Sequence, residues 1–187
     1  MYIVIGASSF IGVYTVDEFI KQGCEVTVTG RNNKFREHYD RLGVPYINLD
    51  LTEKKDFDKL PKEGVDGVIL LAGLLPANAQ VDLNTDENAA DYFEINTIGT
   101  INVLEYCRKN GIKRVISNCS YADVRGAWGK GVITEDEPRD FIYTGDHAVY
   151  VFSKNAANDV LEYYNQQHGM KNAWFRFPPV YGVGPHD

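Results

Sequence analysis

Residues 2–12 of the chain read YIVIGASSFIG, and this stretch decides the fold. A short apolar run rich in β-branched residues meets Gly6, small residues follow, and a second apolar series from Phe10 to Ile20 recurs at helical spacing. The pattern predicts a strand, a tight turn and a helix. Because such a turn presents free backbone N–H groups and the positive end of the helix dipole, it also predicts an anion site that suits a phosphate.

The composition of the chain excludes several classes of protein. Its 187 residues are 44% apolar, which is normal for a globular domain. Nineteen basic and 26 acidic residues give a net charge of -7 without any basic run, which disfavours nucleic acid and anionic membranes as partners. The first apolar run is too short for a membrane span or signal segment, and three isolated cysteines fit a reducing compartment without structural zinc. We expect a cytoplasmic protein that binds small molecules and holds no metal.

Strand and helix patterns alternate along the whole chain. Strands are predicted at 2–5, 25–29, 44–49, 68–72, 114–118 and 172–177, and the longest helices at 86–110 and 149–168. A shorter helix at 53–60 would be capped by Thr52. This alternation implies right-handed crossovers, and hence an α/β fold: a Rossmann-type doubly wound parallel sheet with strand order 3-2-1-4-5-6. Ligands should bind at the carboxyl ends of strands one and four, where the order reverses.

Tyr150 and Lys154, in the segment YVFSK, are four residues apart and therefore share one face of the last predicted helix. A nearby ammonium stabilises a phenolate, so the spacing predicts a tyrosine whose pKa falls from about 10 towards the working range of a general acid or base. The alternative is an amphipathic helix with a solvated lysine. The order of the motifs favours a functional pair, because the glycine loop comes first and Ser120 follows the fifth strand.

Together these segments resemble the extended short-chain dehydrogenase/reductase family, the NAD(P)-dependent epimerases, dehydratases and reductases that include many nucleotide-sugar enzymes. The resemblance covers the whole chain, through GASSFIG at 6–12, NLDLTE at 48–53, LLAG at 70–73, EINTIGTINVLEYCRKNGIKRVI at 94–116, YVFSK at 150–154 and RFPPVYGVGP at 176–185. It implies an NAD(P)-dependent enzyme that transfers a hydride to or from a nucleotide sugar or a similar hydroxyl or carbonyl substrate. A non-catalytic NAD(P)-binding regulatory protein on the same fold is the alternative.

The resemblance also implies roles for individual residues. Tyr150 would be the catalytic acid or base, Lys154 would hold the nicotinamide ribose, and Ser120 would hydrogen bond the reacting oxygen. Aligning Val124-Arg125-Gly126 with the family's Val-Tyr-Gly places Tyr121 at the hydroxyl position, so Tyr121 is a substitute donor. The cofactor would contact the glycine loop and the loops after the later strands: Gly6, Ser8, Ser9, Phe10, Ile11, Gly12, Arg31, Asp50, Leu51, Leu71, Ala72, Gly73, Asn96, Pro178 and Val180.

Two positions in the expected cofactor site depart from the family pattern. Ser9 stands where the fold usually has a third glycine, although its hydroxyl can itself donate to a phosphate. NAD-preferring relatives carry an acidic residue after strand two, whereas this chain has Gly30 followed by Arg31. A guanidinium suits a 2′-phosphate, so we expect NADP in preference to NAD. The alternative for Arg31 is an ordinary exposed turn residue.

Members of this family continue into a smaller C-terminal substrate-binding region, whereas the sequence given stops at Asp187. We therefore expect residues 1–187 to be an NAD(P)-binding Rossmann domain of a truncated form, with a minimal relative as the alternative. Similar proteins often pair through their two long helices. By that resemblance, the helices at 86–110 and 150–168 would form the interface of a homodimer.

Overall fold

In a computed structural model of the chain, residues 1–76, 89–145 and 147–184 are described. Six parallel strands form one sheet: β1 Tyr2–Ile5, β2 Val26–Gly30, β3 Tyr46–Asn48, β4 Gly67–Leu70, β5 Val115–Ser120 and β6 Ala173–Phe177. Their order is β3-β2-β1-β4-β5-β6, which confirms the predicted fold. The strand order reverses between β1 and β4, so the crossover connections that follow these two strands lead to opposite halves of the sheet. A crevice is left between these connections at the carboxyl ends of β1 and β4.

The helices are α1 Phe10–Lys21, α2 Arg36–Arg41, α3 Ala89–Tyr92, α4 Gly99–Lys109 and α5 Ala148–His168. A π-helical segment, Phe93–Ile98, joins α3 to α4, so the helix predicted over 86–110 changes its geometry within its length; residues 86–88 lie outside the described part. The helix predicted at 53–60 is a 3-10 segment, Lys54–Lys59. Thr52 does not cap it, because the Thr52 hydroxyl donates to Asp50 Oδ1 at 2.8 Å.

The central strands of the sheet are buried on both faces, whereas the edge strand β6 is partly exposed. Ile3 and Ile5 pack into one hydrophobic core, whereas Val4 between them packs into the other. This split follows from the alternation of side chains along a strand. The first core includes Leu104 and Leu161 from α4 and α5, and the second includes residues of α1 and α2. The hydrophobic cores on the two faces hold the strands in place, and with them the strand ends at which the candidate site residues lie.

No helix within the described ranges has both the length and the apolar character needed to cross a membrane. The same residues contain no group of three or more histidine, cysteine, aspartate or glutamate side chains placed to hold a metal ion. Cys24, Cys107 and Cys119 are all free, and the last two are buried.

Candidate functional site

In the glycine loop between β1 and α1, two glycines allow close approaches between backbone segments, one to the loop after β4 and one within the glycine loop itself. Gly6 has a φ of 89°, and a Cβ there would collide with the backbone nitrogen of Ala72. A Cβ at Gly12 would collide with the carbonyl oxygen of Gly6. Both positions therefore require glycine, and the loop leaves the N-terminus of α1 at the crevice between β1 and β4. This cradle fits the pyrophosphate of a dinucleotide.

Ser9 caps α1 at the position of the missing third glycine. Its hydroxyl accepts a hydrogen bond from the Gly12 N–H at 3.0 Å and donates one to the Gly6 carbonyl at 2.8 Å. In this conformation the single hydroxyl hydrogen is used inside the loop, so donation to a phosphate would require it to leave the Gly6 carbonyl, and that role of Ser9 stays a prediction. The cap instead holds the loop in the shape that presents the helix N-terminus.

The loops after β3 and β4 reach the same edge of the sheet. The N–H groups of Leu71 and Ala72 both donate to the Ile5 carbonyl, at 2.8 and 3.0 Å, which places the 71–73 loop beside the glycine loop. After β3, the Asp50 carboxylate accepts from the Thr52 N–H at 2.9 Å. The structure thus brings the glycine loop and the loops after β3 and β4 to one side of the sheet, as the sequence predicts.

Asn96, in the π-helical segment, connects the loop after β4 to α5. Its side-chain oxygen accepts from the Leu74 N–H at 2.8 Å, and its side-chain nitrogen donates to the Leu74 carbonyl at 3.1 Å and to the Ser153 hydroxyl at 3.0 Å. The Asn96 side chain is buried. Single π-helical turns occur often at functional sites, and here the turn braces the 73–74 loop against the helix that carries Lys154.

Tyr150 is buried near the start of α5, in a cluster with Tyr92, Ala122 and Val151. This burial raises the pKa of Tyr150 to about 12, although a hydrogen bond with the Ser120 side chain opposes the rise. The sequence-based expectation that Lys154 draws this pKa below 10 is therefore wrong for the structure. The physical reason is that removing the phenolate from water outweighs the neighbouring polar groups.

Lys154 lies one helical turn after Tyr150 and is 4% exposed. Its ammonium donates to Asn118 Oδ1 at 3.4 Å, and a Cβ on Gly73 would lie 3.9 Å from its Nζ. Burial lowers the pKa of Lys154 from 10.5 to about 8. No carboxylate of the described ranges contributes to that pKa. A nearly buried cation with one long hydrogen bond thus stands at the crevice, beside the loop after β4.

The structure separates the two candidates for the hydroxyl next to Tyr150. Ser120 is the last residue of β5; its hydroxyl accepts a hydrogen bond from the Ala122 N–H at 3.2 Å and is near enough to the Tyr150 hydroxyl to lower the pKa of that phenol. The Tyr121 ring instead stacks on Trp128, with ring centroids 4.6 Å apart and an interplanar angle of 5°. The geometry therefore places Ser120, rather than Tyr121, beside the phenol.

Arg31, Pro178 and Val180 lie at the outer ends of the site and are exposed. Arg31 directly follows β2, and its side chain has no salt bridge to any carboxylate in the described ranges. The segment after β6 returns to α1, since the Tyr14 hydroxyl donates to the Val183 carbonyl at 2.8 Å. The segment after β6 therefore lies against α1.

The sequence patterns did not predict a buried ion pair beside Ser120. Asp123 is fully buried, and its Oδ1 lies 2.9 Å from Nε of Arg176 in β6. The Arg176 guanidinium also donates to the carbonyls of Glu135 and Glu137, each at 3.2 Å. It therefore joins the turn after β5, the 135–137 stretch and the edge strand. The available signal was an acid and an arginine each flanked by apolar residues, in ADV and FRF.

Comparisons with known proteins agree with this geometry. The model of the NAD dependent epimerase/dehydratase family matches residues 2–187. A putative UDP-glucose 4-epimerase of Methanocaldococcus jannaschii is 28% identical over 183 residues, which are 97% of this chain and 56% of the relative. A UDP-glucose 4-epimerase of Pisum sativum is 31% identical over 146 residues, which are 72% of this chain and 40% of the relative.

Among solved structures, the UDP-glucose 4-epimerase of Thermus thermophilus in complex with NAD matches with a TM-score of 0.80 and 26% identity. The match covers 97% of this chain and 56% of that chain. The chain therefore spans 56% of the Methanocaldococcus jannaschii relative and of the Thermus thermophilus structure, which is about half the length of each.

Proposed function

The chain belongs to the NAD dependent epimerase/dehydratase family, within the extended short-chain dehydrogenase/reductase type, and we propose that it acts on a nucleotide sugar. The proposed reaction is of the epimerase type, in which a hydroxyl-bearing carbon is oxidised and then reduced again. The names of the relatives, UDP-glucose 4-epimerases, support a UDP-sugar as the substrate. A dehydratase outcome would share the first oxidation step, and a reductase outcome would use the hydride transfer in the opposite direction.

The observation that carries this proposal is the state of Lys154. An ammonium that is 4% exposed, lacks a carboxylate partner in the described ranges and makes one hydrogen bond of 3.4 Å is costly to bury. A lysine of this kind can donate to ligand hydroxyl groups, because two of its three hydrogens are not committed to the hydrogen bond with Asn118. Its place one turn from Tyr150, beside the 73–74 loop, supports contact with a cofactor ribose.

A bound nicotinamide would supply the acceptor, and later the donor, of the hydride. In the proposed roles, the Tyr150 oxygen exchanges a proton with the substrate hydroxyl, and Ser120 hydrogen bonds the same substrate oxygen. Because the pKa of Tyr150 is about 12, the phenol is protonated near neutral pH and suits the reduction step, in which it gives its proton to the substrate oxygen. The oxidation step needs the phenolate form, which takes the proton of the substrate hydroxyl. The Lys154 cation stabilises negative charge that develops at this centre.

For the cofactor, we propose that the chain accepts NADP in preference to NAD. The exposed Arg31 guanidinium at the end of β2 supports this preference, because it is free to pair with a 2′-phosphate. Calorimetric titration of both dinucleotides tests it. We expect NADP to bind about tenfold more tightly, a difference of about 1.4 kcal/mol. Tighter binding of NAD would contradict the preference.

We also propose a homodimer formed through α4 and α5, within the predicted 86–110 and 150–168 segments. Exposed Ile98, at the end of the π-helical segment that precedes α4, and exposed Tyr163 on α5 support an interface. Sedimentation of the wild type and of Ile98→Glu tests it, with a dimer expected for the first and a monomer for the second. A cytoplasmic location is proposed as well, because the three free cysteines suit a reducing compartment.

The experiment for the proposed function uses the intact protein with NADP or NAD and a panel of UDP-sugars. Proton NMR of the sugar signals follows interconversion, and calorimetry follows cofactor binding. We expect interconversion of at least one UDP-sugar pair. Cofactor binding without turnover of any sugar or simple carbonyl compound would favour the regulatory alternative, and absence of dinucleotide binding would contradict both.

A further inference from the structure

Tyr46 occupies the space that a side chain at position 30 would need. A Cβ on Gly30 would overlap the Tyr46 hydroxyl oxygen and lie 2.9 Å from Cζ of the same ring. Tyr46 in β3 pairs with Val28 in β2, two residues before Gly30, so the two positions share one face of the sheet. The phenol therefore runs along that face to the end of β2. Any side chain at position 30 must displace it.

The Tyr46 side chain is not free to move aside. It is buried, its hydroxyl donates to the Asn32 carbonyl at 2.5 Å, and its ring stacks on Tyr39 with centroids 5.8 Å apart. The Arg36 guanidinium covers the ring at 5.1 Å from its centroid. Burial raises the pKa of Tyr46, so the hydroxyl is neutral at physiological pH. Position 30 is thus closed by a rigid, uncharged group.

The same position borders the crevice and a basic turn. Ser8 Oγ of the glycine loop would lie 3.3 Å from a Cβ on Gly30, which links position 30 to the candidate phosphate site. The stretch TGRNNKFR at 29–36 contains three cations and no acid. Arg36 is committed to structure, because it donates to the Tyr46 carbonyl and to Asn33 Oδ1, each at 3.0 Å. Arg31 and Lys34 are both exposed, and Arg31, which directly follows β2, is the one next to position 30.

From this arrangement we infer that Tyr46 restricts position 30 to glycine and thereby makes Arg31 the residue that contacts the 2′ substituent of the cofactor. Its phenol excludes from position 30 a carboxylate, which would accept from an adenosine 2′-hydroxyl and repel a 2′-phosphate. The Arg31 guanidinium is then the group that contacts the 2′ substituent of the adenosine. This inference rests on the proposed function, because it requires a dinucleotide whose adenosine end lies at β2.

The test uses four proteins: the wild type, Gly30→Asp, Tyr46→Val and the double variant Gly30→Asp/Tyr46→Val. Valine removes the ring and suits a strand. Calorimetry measures the binding of adenosine 2′,5′-bisphosphate, 5′-AMP, NADP and NAD, and urea unfolding measures stability, so turnover is not needed. We expect the wild type and Tyr46→Val to prefer the 2′-phosphorylated ligands. The double variant should reverse that preference by about tenfold or more.

The urea midpoints of the variants distinguish two explanations of a changed ligand preference: steric exclusion of a side chain from position 30 by Tyr46, and an altered contact with the ligand. We expect Gly30→Asp alone to lower the urea midpoint, and we expect Tyr46→Val to relieve that loss in the double variant. A single Gly30→Asp variant that reverses the ligand preference at full stability would overturn the inference, because the phenol would then exclude nothing. An unchanged preference in the double variant would overturn it as well. Failure of the wild type to bind any of the four ligands would contradict the proposed function instead, and the inference with it.

Discussion

The two ends of the candidate site differ in how the chain holds them. At the β5 and α5 end, Tyr150 and Lys154 are buried, and Asn96 joins the neighbouring loop to α5 through three hydrogen bonds. At the β2 end, Arg31 directly follows the strand and is exposed, as is Lys34 three residues later. The difference indicates that the proposed chemistry depends on groups fixed by packing. In our proposal, the choice of cofactor depends on the exposed Arg31 side chain, next to a position that the buried Tyr46 ring keeps closed.

Tyr150→Phe tests the buried end most severely. Removal of the hydroxyl eliminates the proton-transfer group, and general acid–base catalysis contributes about 10²- to 10⁴-fold. We therefore expect kcat of the intact protein to fall by that factor, while the dissociation constant for NADP changes by less than about twofold. Tyr163→Phe, on the exposed side of the same helix, is the matched control. Turnover in Tyr150→Phe equal to that of the control would remove Tyr150 from the proposed centre.

Arg176→Gln tests how strongly packing fixes this end. The substitution leaves the fully buried Asp123 carboxylate without its cation, which costs about 3–5 kcal/mol in comparable buried pairs. The control is Arg139→Gln, because the Arg139–Asp159 pair is exposed and such pairs contribute about 0–1 kcal/mol. Urea unfolding of both variants measures the contrast. Equal losses would show that burial of the Asp123–Arg176 pair is not what holds the turn after β5.

Lys154→Met tests the cost of the buried ammonium. The pKa of Lys154 falls from 10.5 to about 8 on folding, which corresponds to roughly 3 kcal/mol of destabilisation while both states are protonated. We expect the variant to be more stable than the wild type by that order at pH 7. Because the folded state loses its proton first, the stability of the wild type relative to the variant should rise between pH 8 and 10.5.

Urea unfolding at several pH values follows this difference between the two proteins. Other titrating groups are common to both proteins and cancel in the comparison. A variant that is less stable than the wild type at pH 7 would contradict the assignment of Lys154 as an uncompensated buried cation.

Arg31→Ala, at the exposed β2 end of the site, has the smallest expected effect of these substitutions and tests whether this end selects the cofactor. We expect the affinity for NADP to fall about tenfold, and the affinity for NAD and the stability to change little, because a surface substitution usually alters stability by no more than about 0.5 kcal/mol. Lys34→Ala, three residues further along the same exposed turn, is the control. Equal losses for NADP and NAD would indicate that Arg31 does not bind the 2′-phosphate.

The sequence predicts the sheet order and the crevice well, because alternating strand and helix patterns allow few right-handed topologies. It also predicts that Tyr150 and Lys154 share a helix face, since four-residue spacing is local. The contacts that tune the site are not local. Tyr46 meets Gly30 across neighbouring strands, and Asp123 meets Arg176 over 53 positions in the chain. The spacing of apolar residues along the sequence cannot indicate contacts between residues that are so far apart in the chain.

The direction of the Tyr150 pKa was mispredicted for the same reason. Spacing shows that a lysine is near, but it does not show how far the phenol is removed from water by Tyr92, Ala122 and Val151. The π-helical segment was also missed, because a regular apolar repeat does not reveal one extra residue in a turn. Both features result from packing between elements distant in sequence.

The central claim is that one dinucleotide spans both ends of the site. Calorimetric titration of NADP into the wild type, Arg31→Ala, Lys154→Met and the double variant tests it most directly. We expect each substitution to weaken binding, and the losses in binding free energy to add, because the two side chains share no contact. Binding that is absent in the wild type, or unchanged by Lys154→Met, would contradict the claim.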